Sequence, residues 1–341
     1  MILAIESSCD ETAVAVVQGG RRILSSEVAS QIAMHRMYGG VVPEIASRKH
    51  IEVIDGLTSL ALKNAGISRE DITAVAVTFA PGLIGALLVG LNYAKGLAMA
   101  LDIPLIPVHH IRGHIASNYL SFSELEPPFM CLVASGGHTL LLGVDSYTDY
   151  RVIGSTRDDA AGETFDKAAR VLGIGYPGGK VLDSLSTGAD PETYALPRAK
   201  VDGAPFDMSF SGLKTAIINL VHNADQKGIE LDLPGLAASI CKAISDEIVP
   251  RAIDACSEYG YKKICAAGGV AANSVLRADL ERESARAGLE LYIPPISLCG
   301  DNAAMIGSQA YYEWAAGNLA DMEINAYATL PADYQHNTLI L

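Results

Sequence analysis

The sequence predicts an α/β protein made of two similar lobes, and three observations lead to this class. Apolar segments of strand length alternate with longer segments whose apolar residues recur at helical spacing. The chain opens with an apolar strand that ends in a polar turn, Ser7-Ser8-Cys9-Asp10. A second strand, polar turn and strand begin at residues 128–144, with Ser135-Gly136-Gly137 in the turn. An arrangement that begins twice in 341 residues predicts two duplicated α/β lobes with a ligand cleft between them.

The elements of the first half follow from where its apolar runs begin and stop. Gly66 ends a run of helical spacing, as glycine commonly does at helix C-termini. The predicted elements are strands at 2–6 and 13–17, a stretch at 27–50 that is loop-like around residues 39–43, a helix at 50–66, a strand at 72–80, a helix at 83–101 and a strand at 104–110.

The second half repeats the alternation after the hairpin at 128–144. A Gly/Pro loop at 173–180 and a mixed region to about 210 separate its helices. The predicted elements are helices at 163–173, 211–224 and 236–260, a strand at 262–270, a helix at 273–288, a strand at 291–295 and a helix at 303–317.

The helix at 83–101 is apolar enough to be mistaken for a membrane span. It contains Asn92 and Lys95 and is rich in glycine and alanine, so we expect a buried helix between two layers and no membrane association. The N-terminal sequence lacks a basic segment and does not resemble a signal peptide.

Composition and charge exclude several classes of protein. Half of the residues are hydrophobic and 19% are charged, which excludes long disordered stretches. With 25 basic and 39 acidic residues the net charge is −14, so bulk electrostatics do not favour nucleic acid. Any RNA contact would need a local basic strip or a basic partner. The six cysteines form no C-x-x-C pair, which indicates reduced thiols and a cytoplasmic location.

A candidate metal site begins with the spacing His110-x-x-x-His114. Residues four apart lie on one face of a helix, so both imidazoles can reach one ion. Asp301, at the start of the last helix, is a candidate third ligand, and two histidines with one carboxylate suit Fe(II) or Zn(II). The alternative is a pair of surface or capping histidines. The H-E-x-x-H motif of zinc proteases is not formed.

Glycine-rich turns are candidates for holding a phosphate or an acyl group. Ser135-Gly136-Gly137 and Gly268-Gly269 both follow apolar strands, where backbone N–H groups can point at an anion. Ordinary tight turns are the alternative. Asn273, just after the second turn, can be an N-cap or can hydrogen-bond a ribose or base. Gly173–Gly178 follows a helix rather than a strand, so a dinucleotide site is not indicated.

Three acidic residues, Asp159, Glu163 and Asp166, are expected to share one helix face. A solvated acidic face is one interpretation. Binding of hydroxyls, an ammonium group or a metal is the other.

Eight segments in order carry a resemblance to a known family. They are IESSCDETAVAVV, GGVVPEIASRKH, HHIRGH, ASGGHT, FDKAARVLGIGYPGG, SFSGLKTA, GGVAAN and LCGDNAAM. They resemble the tRNA N6-adenosine threonylcarbamoyltransferase family, TsaD, formerly called O-sialoglycoprotein endopeptidase. The similarity covers about residues 1–315, and the short N-terminus resembles the bacterial branch. Met208 stands where the family often has phenylalanine, and the tail lacks the Arg-Pro-Arg-Trp type of ending common in bacterial members.

The resemblance implies the actin/Hsp70/sugar-kinase (ASKHA) fold and a transferase activity. Residues 1–108 and 109–302 would form the two lobes, a helix at about 303–320 would return to the first lobe, and 321–341 would be a tail. Family members transfer a threonylcarbamoyl group from threonylcarbamoyl-AMP to N6 of adenosine 37, in tRNAs that read codons beginning with A, and release AMP. The resemblance also implies TsaB-like and TsaE-like partner proteins.

The resemblance assigns roles residue by residue. Asp10 and Glu11 would face the cleft and matter for activity, whereas His138 is a catalytic candidate by its position alone. The implied metal ligands are His110, His114 and Asp301. The implied substrate-binding residues are Val133, Ala134, Ser135, Gly136, Gly137, Asp166, Gly179, Asp183 and Asn273. Two other classes stay open at this point, a metalloprotease and a non-catalytic scaffold that binds nucleotide.

Overall fold

The computed structural model describes residues 1–199 and 201–336, and its contacts group the chain into two α/β units. The first unit contains Met1–Pro127, Val144–Arg151 and the chain from Gly300 onward; the second contains Pro128–Gly143 and Val152–Cys299. The lobe boundaries expected at residues 108 and 302 stay predictions. The contacts group residues 109–127 with the first unit.

In the part of the chain that the structure describes, ten strands form two five-stranded sheets of the same topology. The first sheet has the order β3-β2-β1-β4-β5 and the second β10-β9-β6-β7-β8, so each strand of one has a counterpart in the other. This repetition confirms the predicted duplicated α/β fold. The strands are β1 Ile2–Glu6, β2 Glu11–Gln18, β3 Arg22–Ser30, β4 Ala74–Ala80, β5 Leu105–His109, β6 Phe129–Ala134, β7 Thr139–Val144, β8 Tyr150–Ser155, β9 Lys263–Ala267 and β10 Glu290–Tyr292.

Ten α-helices are found in the described residues, and most of the longer ones match a predicted helix. They are α1 Ile32–His35, α2 Pro43–Ala65, α3 Ile84–Leu101, α4 His110–Ser121, α5 Ala161–Val171, α6 Gly178–Ser186, α7 Ser211–Lys227, α8 Leu233–Tyr259, α9 Ser274–Ala287 and α10 Ala303–Ala315.

Residues 39–42 form a loop where one was predicted, whereas no element was predicted on either side of it within residues 27–49. Strand β3 reaches Ser30, where it pairs with β2, and α2 begins at Pro43. Proline suits the first position of a helix because the N–H that it lacks would have no partner there. Strand β8 was not predicted either, since its sequence has no clear alternation of apolar and polar residues.

Helix α3 was expected between two layers, and the structure corrects this. One face of α3, with Leu87 and Leu91, packs on the first sheet, whereas Ile84, Leu88 and Met99 of the same helix are exposed. Within the described residues, α3 is the one helix long and apolar enough to cross a membrane by length and composition.

The first sheet is covered on both faces. Leu3 and Ile5 of β1 face the core that includes α3, and Ile2 and Ala4 face the core that includes α10. This division follows from the alternation of side chains along a strand. Helix α10 approaches the sheet so closely that a Cβ at Gly307 would lie 2.6 Å from Val17 Cγ2. Helix α10 is therefore packed directly against β1 and β2.

Candidate functional site

Helix α4 carries two histidines toward one carboxylate in the first unit. The side chain of His109 caps the helix by accepting a hydrogen bond of 3.2 Å from the Ile111 N–H. His110 and His114 follow one turn apart, with ring centroids separated by 4.6 Å. Asp301 Oδ1 lies 3.2 Å from His114 Nε2 and 3.7 Å from His110 Nε2. The structure thus brings together three residues that the sequence analysis selected, with ligand atoms within 4.8 Å of one another.

The donor set fits a divalent metal ion. Both ring nitrogens of His114 are buried without a hydrogen-bond partner, and the 3.2 Å approach of Nε2 to Asp301 lacks hydrogen-bond geometry. A buried polar atom without a partner costs about 1–3 kcal/mol, which metal coordination at Nε2 would offset. Two imidazoles and one carboxylate are ligands typical of Fe(II) and Zn(II) sites with open positions.

Glu6, at the end of β1, orients the first histidine. It is fully buried, and its Oε2 lies 2.9 Å from His110 Nδ1, which leaves His110 Nε2 directed at Asp301. Thr78 Oγ1 and the Ser8 N–H donate hydrogen bonds of 2.6 and 2.5 Å to the same carboxylate. A carboxylate behind a histidine ligand sets the ring orientation and raises its basicity.

The charges of Glu6 and His110 are interdependent. Burial alone would raise the pKa of Glu6, but the adjacent His110 lowers it below the ordinary value. Burial would lower the pKa of His110, whereas the carboxylates of Glu6 and Asp301 raise it to about 9. Sequence reasoning missed Glu6, although a charged residue at the end of an otherwise apolar strand was a visible signal.

Asp10 lies in the turn between β1 and β2, and Glu11 is the first residue of β2, in the same unit. The Asp10 carbonyl accepts a hydrogen bond of 3.0 Å from the Gln31 N–H. His50 of α2 bonds to Thr12 Oγ1 at 2.7 Å and to the Cys9 carbonyl at 2.9 Å. These contacts fix the backbone of the turn. Burial together with the charges of Asp10 and Asp301 raises the pKa of Glu11 to about 9.

We expect the metal-free Glu11→Gln variant to be more stable than metal-free wild type, by a margin that grows as the pH rises. The pKa of Glu11 is higher in the folded state than in the unfolded state, so the protonated carboxyl favours folding. This stabilisation is complete below the ordinary pKa of 4.5 and is lost as the pH rises toward about 9. Glutamine carries no charge, so the difference in Tm between variant and wild type should grow from about pH 5 to about pH 9. Thermal unfolding with a chelator present measures it. Exposed Glu52→Gln is the control, and a pH-independent difference would contradict the expectation.

In the second unit, glycines allow three backbone segments to meet at the end of β6. A Cβ at Gly162 of α5 would lie 2.5 Å from the Ser135 carbonyl oxygen, and one at Gly268 would lie 2.4 Å from the Ala134 carbonyl oxygen. Gly268 also has a φ of +90°, which glycine adopts readily. The turn after β6 is therefore packed between the starts of α5 and of the segment before α9.

The five residues expected to bind the adenylate along 133–137 are not equivalent. Val133 and Ala134 belong to β6 and are fully buried, with Val133 paired to Ala267 of β9. The Ser135 N–H is used within the turn, where it donates to the His138 carbonyl at 2.8 Å. Gly136 and Gly137 are exposed at its tip.

Three of the other predicted residues accept hydrogen bonds from N–H groups at or near the starts of helices. Asp166 of α5 accepts a hydrogen bond of 2.7 Å from the Gly178 N–H, next to Gly179 at the start of α6. Asp183 of α6 accepts from the Ser274 N–H at 2.9 Å and from its hydroxyl at 2.7 Å. Asn273 caps α9 by accepting from the Leu276 N–H at 3.0 Å. Asp166 thus joins α5 to the start of α6, and Asp183 joins α6 to the start of α9.

The expected acidic helix face is not formed, and this prediction was wrong. Asp159 precedes α5 and bonds to Lys167 at 2.7 Å and Lys214 at 2.8 Å, while Glu163 pairs with Lys167 at 2.8 Å. Lysines therefore neutralise two of the three carboxylates. The sequence did not reveal this because Lys214 comes from a separate helix, α7.

Solved structures of other proteins share this fold. The chain is similar to HypF from T. kodakarensis, with a TM-score of 0.61 and 13% identity over 93% of this chain and 48% of that chain. It is also similar to the (R)-2-hydroxyglutaryl-CoA dehydratase component A of Acidaminococcus fermentans, with a TM-score of 0.54 and 18% identity over 92% and 98% of the two chains. Two duplicated sheets with these neighbours define a protein of the ASKHA fold class, as predicted.

Sequence comparisons identify the family within that class. The family model for TsaD, tRNA N6-adenosine threonylcarbamoyltransferase, matches residues 22–308. Proteins of that name from Clostridium botulinum and Clostridium perfringens are 52% and 51% identical, over 96% and 97% of this chain and 97% of each relative. The chain belongs to the tRNA N6-adenosine threonylcarbamoyltransferase family, and it is a transferase that forms threonylcarbamoyladenosine (t6A) in tRNA. This confirms the transferase prediction over the protease and scaffold alternatives.

Proposed function

We propose that the chain transfers the threonylcarbamoyl group of threonylcarbamoyl-AMP to N6 of adenosine 37, in tRNAs that read codons beginning with A. The adenine amine attacks the carbamoyl carbon, a C–N bond forms and the bond from that carbon to the phosphate oxygen breaks. AMP leaves with the electron pair of that bond, and the amine loses a proton. The amine is a weak nucleophile because its lone pair is delocalised into the ring, so the mixed anhydride must supply the activation.

The main observation in support of the proposal is that three potential metal ligands lie together: His110, His114 and Asp301. These residues would hold one Fe(II) or Zn(II) ion, with Glu6 fixing the ring of His110. When bound, the ion supplies a Lewis acid for the phosphate oxygens of the donor. A carboxylate and two neutral imidazoles leave positive charge on the ion, which suits an anionic leaving group.

The second unit would hold the donor by its carbamoyl-phosphate and its ribose. The amides of Gly136 and Gly137 would bind the carbamoyl-phosphate region, where negative charge develops during transfer. Asp166, Gly179 and Asp183 would bind the ribose hydroxyls. Asn273 would bind the nucleotide through the second hydrogen of its amide nitrogen, since its oxygen caps α9 and the other hydrogen is donated to Cys241 Sγ. The turn would be held in place by the residues before its tip, Val133, Ala134 and Ser135, because the first two lie within β6.

The proton of the attacking amine needs an acceptor, for which Asp10, Glu11 and His138 are the candidates. In the metal-free chain, burial and the charges of Asp10 and Asp301 raise the pKa of Glu11 to about 9, and a cation held by Asp301 would lower it again. Of the three candidates, His138 is half-buried in the turn, with its backbone N–H bonded to Ser135 Oγ at 3.2 Å.

The tRNA partner is expected to be recruited with help from other proteins. At a net charge of −14 the chain lacks the excess of basic residues that binds RNA phosphates. TsaB-like and TsaE-like proteins would complete the binding surface, in the cytoplasm. Adenosine 37 lies in the anticodon loop, where a base can be splayed out without opening a helix.

The test measures t6A in digested tRNA by mass spectrometry, from cells depleted of this protein and complemented with wild type or His110→Ala. The proposal predicts that t6A disappears on depletion and that wild type alone restores it. Unchanged t6A after depletion, in cells without a paralogue, would refute the transfer. Restoration by His110→Ala would refute the metal's role.

A further inference from the structure

Arg112 lies on α4 between the two histidines, and its guanidinium is buried. The residue is 1% exposed. Its Nε donates a hydrogen bond of 2.9 Å to the Ala332 carbonyl, and Nη2 donates to the Tyr334 carbonyl. The guanidinium carbon lies 4.0 Å from the centre of the Tyr334 ring and 4.6 Å from that of Tyr150. The side chain is therefore enclosed by the C-terminal segment, which we define as residues 320–336.

The same guanidinium reaches the helix that follows the third ligand. Arg112 Nη1 lies 3.4 Å from Glu313 Oε1 of α10, and Glu313 is also 1% exposed. Glu313 in turn accepts hydrogen bonds from Gln309 at 2.8 Å and Asn318 at 2.6 Å. Asp301 lies just before α10, so Arg112 joins the helix with both histidines to the helix that positions the carboxylate.

The C-terminal segment holds α4 at a second point. His109 Nε2 bonds to the Leu330 carbonyl at 3.0 Å, and the His109 ring stacks on Tyr334 at 5.6 Å. Helices α4 and α10 are also in close contact, because a Cβ at Gly113 would lie 2.6 Å from Ile306 Cδ1. A small shift of either helix would therefore change the distances between the histidines and Asp301.

Stability alone is a weak explanation for this arrangement. Removing an arginine and a glutamate from water carries a large desolvation cost, and well-packed apolar residues are often as stable in such positions. A guanidinium differs from an apolar side chain in that its planar donors fix the directions of several partners at once. Arg112 directs these donors at α10 and at two carbonyls of the C-terminal segment.

We propose that Arg112 is a positioning residue that fixes α4 against α10 and the C-terminal segment, and thereby sets the geometry of His110, His114 and Asp301 for metal binding. This inference rests on the proposed metal site. Its consequence is that the C-terminal segment contributes to metal affinity without supplying a ligand.

The experiment compares metal affinity in wild type, Arg112→Lys and Arg251→Lys. Lysine keeps the positive charge but cannot make the fork of hydrogen bonds. Arg251 is the matched control, because it also pairs with a buried glutamate, Glu247 at 3.1 Å, and donates to a backbone carbonyl, but in the second unit. The probes are Zn(II) in competition with a chelator and Co(II), whose visible absorption reports ligand geometry. Circular dichroism and Tm establish that each variant is folded.

The inference predicts that Arg112→Lys binds Zn(II) at least about tenfold more weakly and has an altered Co(II) spectrum, as for other residues that orient ligands. Arg251→Lys should match wild type. If Arg112→Lys does not fold, Tyr334→Leu, which removes the ring beneath the guanidinium, should show the same changes. A folded variant with unchanged affinity and spectrum would overturn the inference and leave the metal site standing. Failure of wild type to bind one ion per chain would overturn both.

Discussion

Replacing His114 by alanine is expected to abolish metal binding and to reduce the rate of threonylcarbamoyl transfer by more than about 100-fold. Loss of an outer partner of a ligand costs about 10–100-fold in affinity or activity, and loss of the ligand itself should cost more. Metal content by mass spectrometry and transfer to tRNA in vitro, with the partner proteins present, measure the two effects. Exposed His222→Ala should retain both the metal and the rate.

The effect of this substitution on stability should depend on the metal. Neither ring nitrogen of His114 has a hydrogen-bond partner, so the metal-free variant loses packing but no hydrogen bond. A ligand that binds only the folded state raises Tm, so a chelator should lower the Tm of wild type and leave that of His114→Ala unchanged. Equal transfer rates for wild type and a metal-free variant would contradict the proposed role of the ion.

Replacing Gly162 by alanine is expected to reduce kcat/KM for threonylcarbamoyl-AMP by about 10- to 100-fold. The added methyl would lie 2.5 Å from the Ser135 carbonyl oxygen and 2.7 Å from Gly136 Cα, so the turn must move. A shift of about 1 Å in a positioning group can cost a factor of this size. Transfer measured at varied donor concentration tests the expectation, which predicts a rise in KM.

The control variant distinguishes the effect of moving the turn from the effect of adding a methyl group to a helix. Gly96 of α3 is exposed, and a Cβ there would meet no atom within 4 Å. Gly96→Ala should therefore stabilise the protein by up to about 1 kcal/mol, the difference in helix propensity, and leave kcat/KM unchanged. If Gly162→Ala behaved in the same way, the turn at Ser135 would have no part in binding the donor.

The parts of the site that could be predicted from sequence are those set by local geometry. The four-residue spacing of His110 and His114 places both on one face of a helix wherever that helix lies. The glycine turns after β6 and β9 could be predicted because an apolar run that stops at small residues marks the end of a strand. The last helix began where expected, after Asp301, with Asn302 as its cap.

The residues that sequence reasoning missed act across long separations in the chain. Glu6 reaches His110 because β1 and β5 both border β4, and Lys214 reaches Asp159 from another helix. The segment that ends the described chain had no predicted role, yet its carbonyls surround Arg112. Periodicity and motif spacing do not predict these contacts, because each contact depends on which helices and strands become neighbours in the fold.

The α/β class, its duplication, the helical histidine pair and the family could be read from the chain, because strand and helix periods and ordered motifs are properties of neighbouring residues. Three features became visible in the folded chain alone: Asp301 meets the two histidines, Glu6 orients one of them, and Gly162 and Gly268 hold the turn after β6. These contacts form between elements that burial of the sheet faces brings together. Their distances are set by packing between helices and strands.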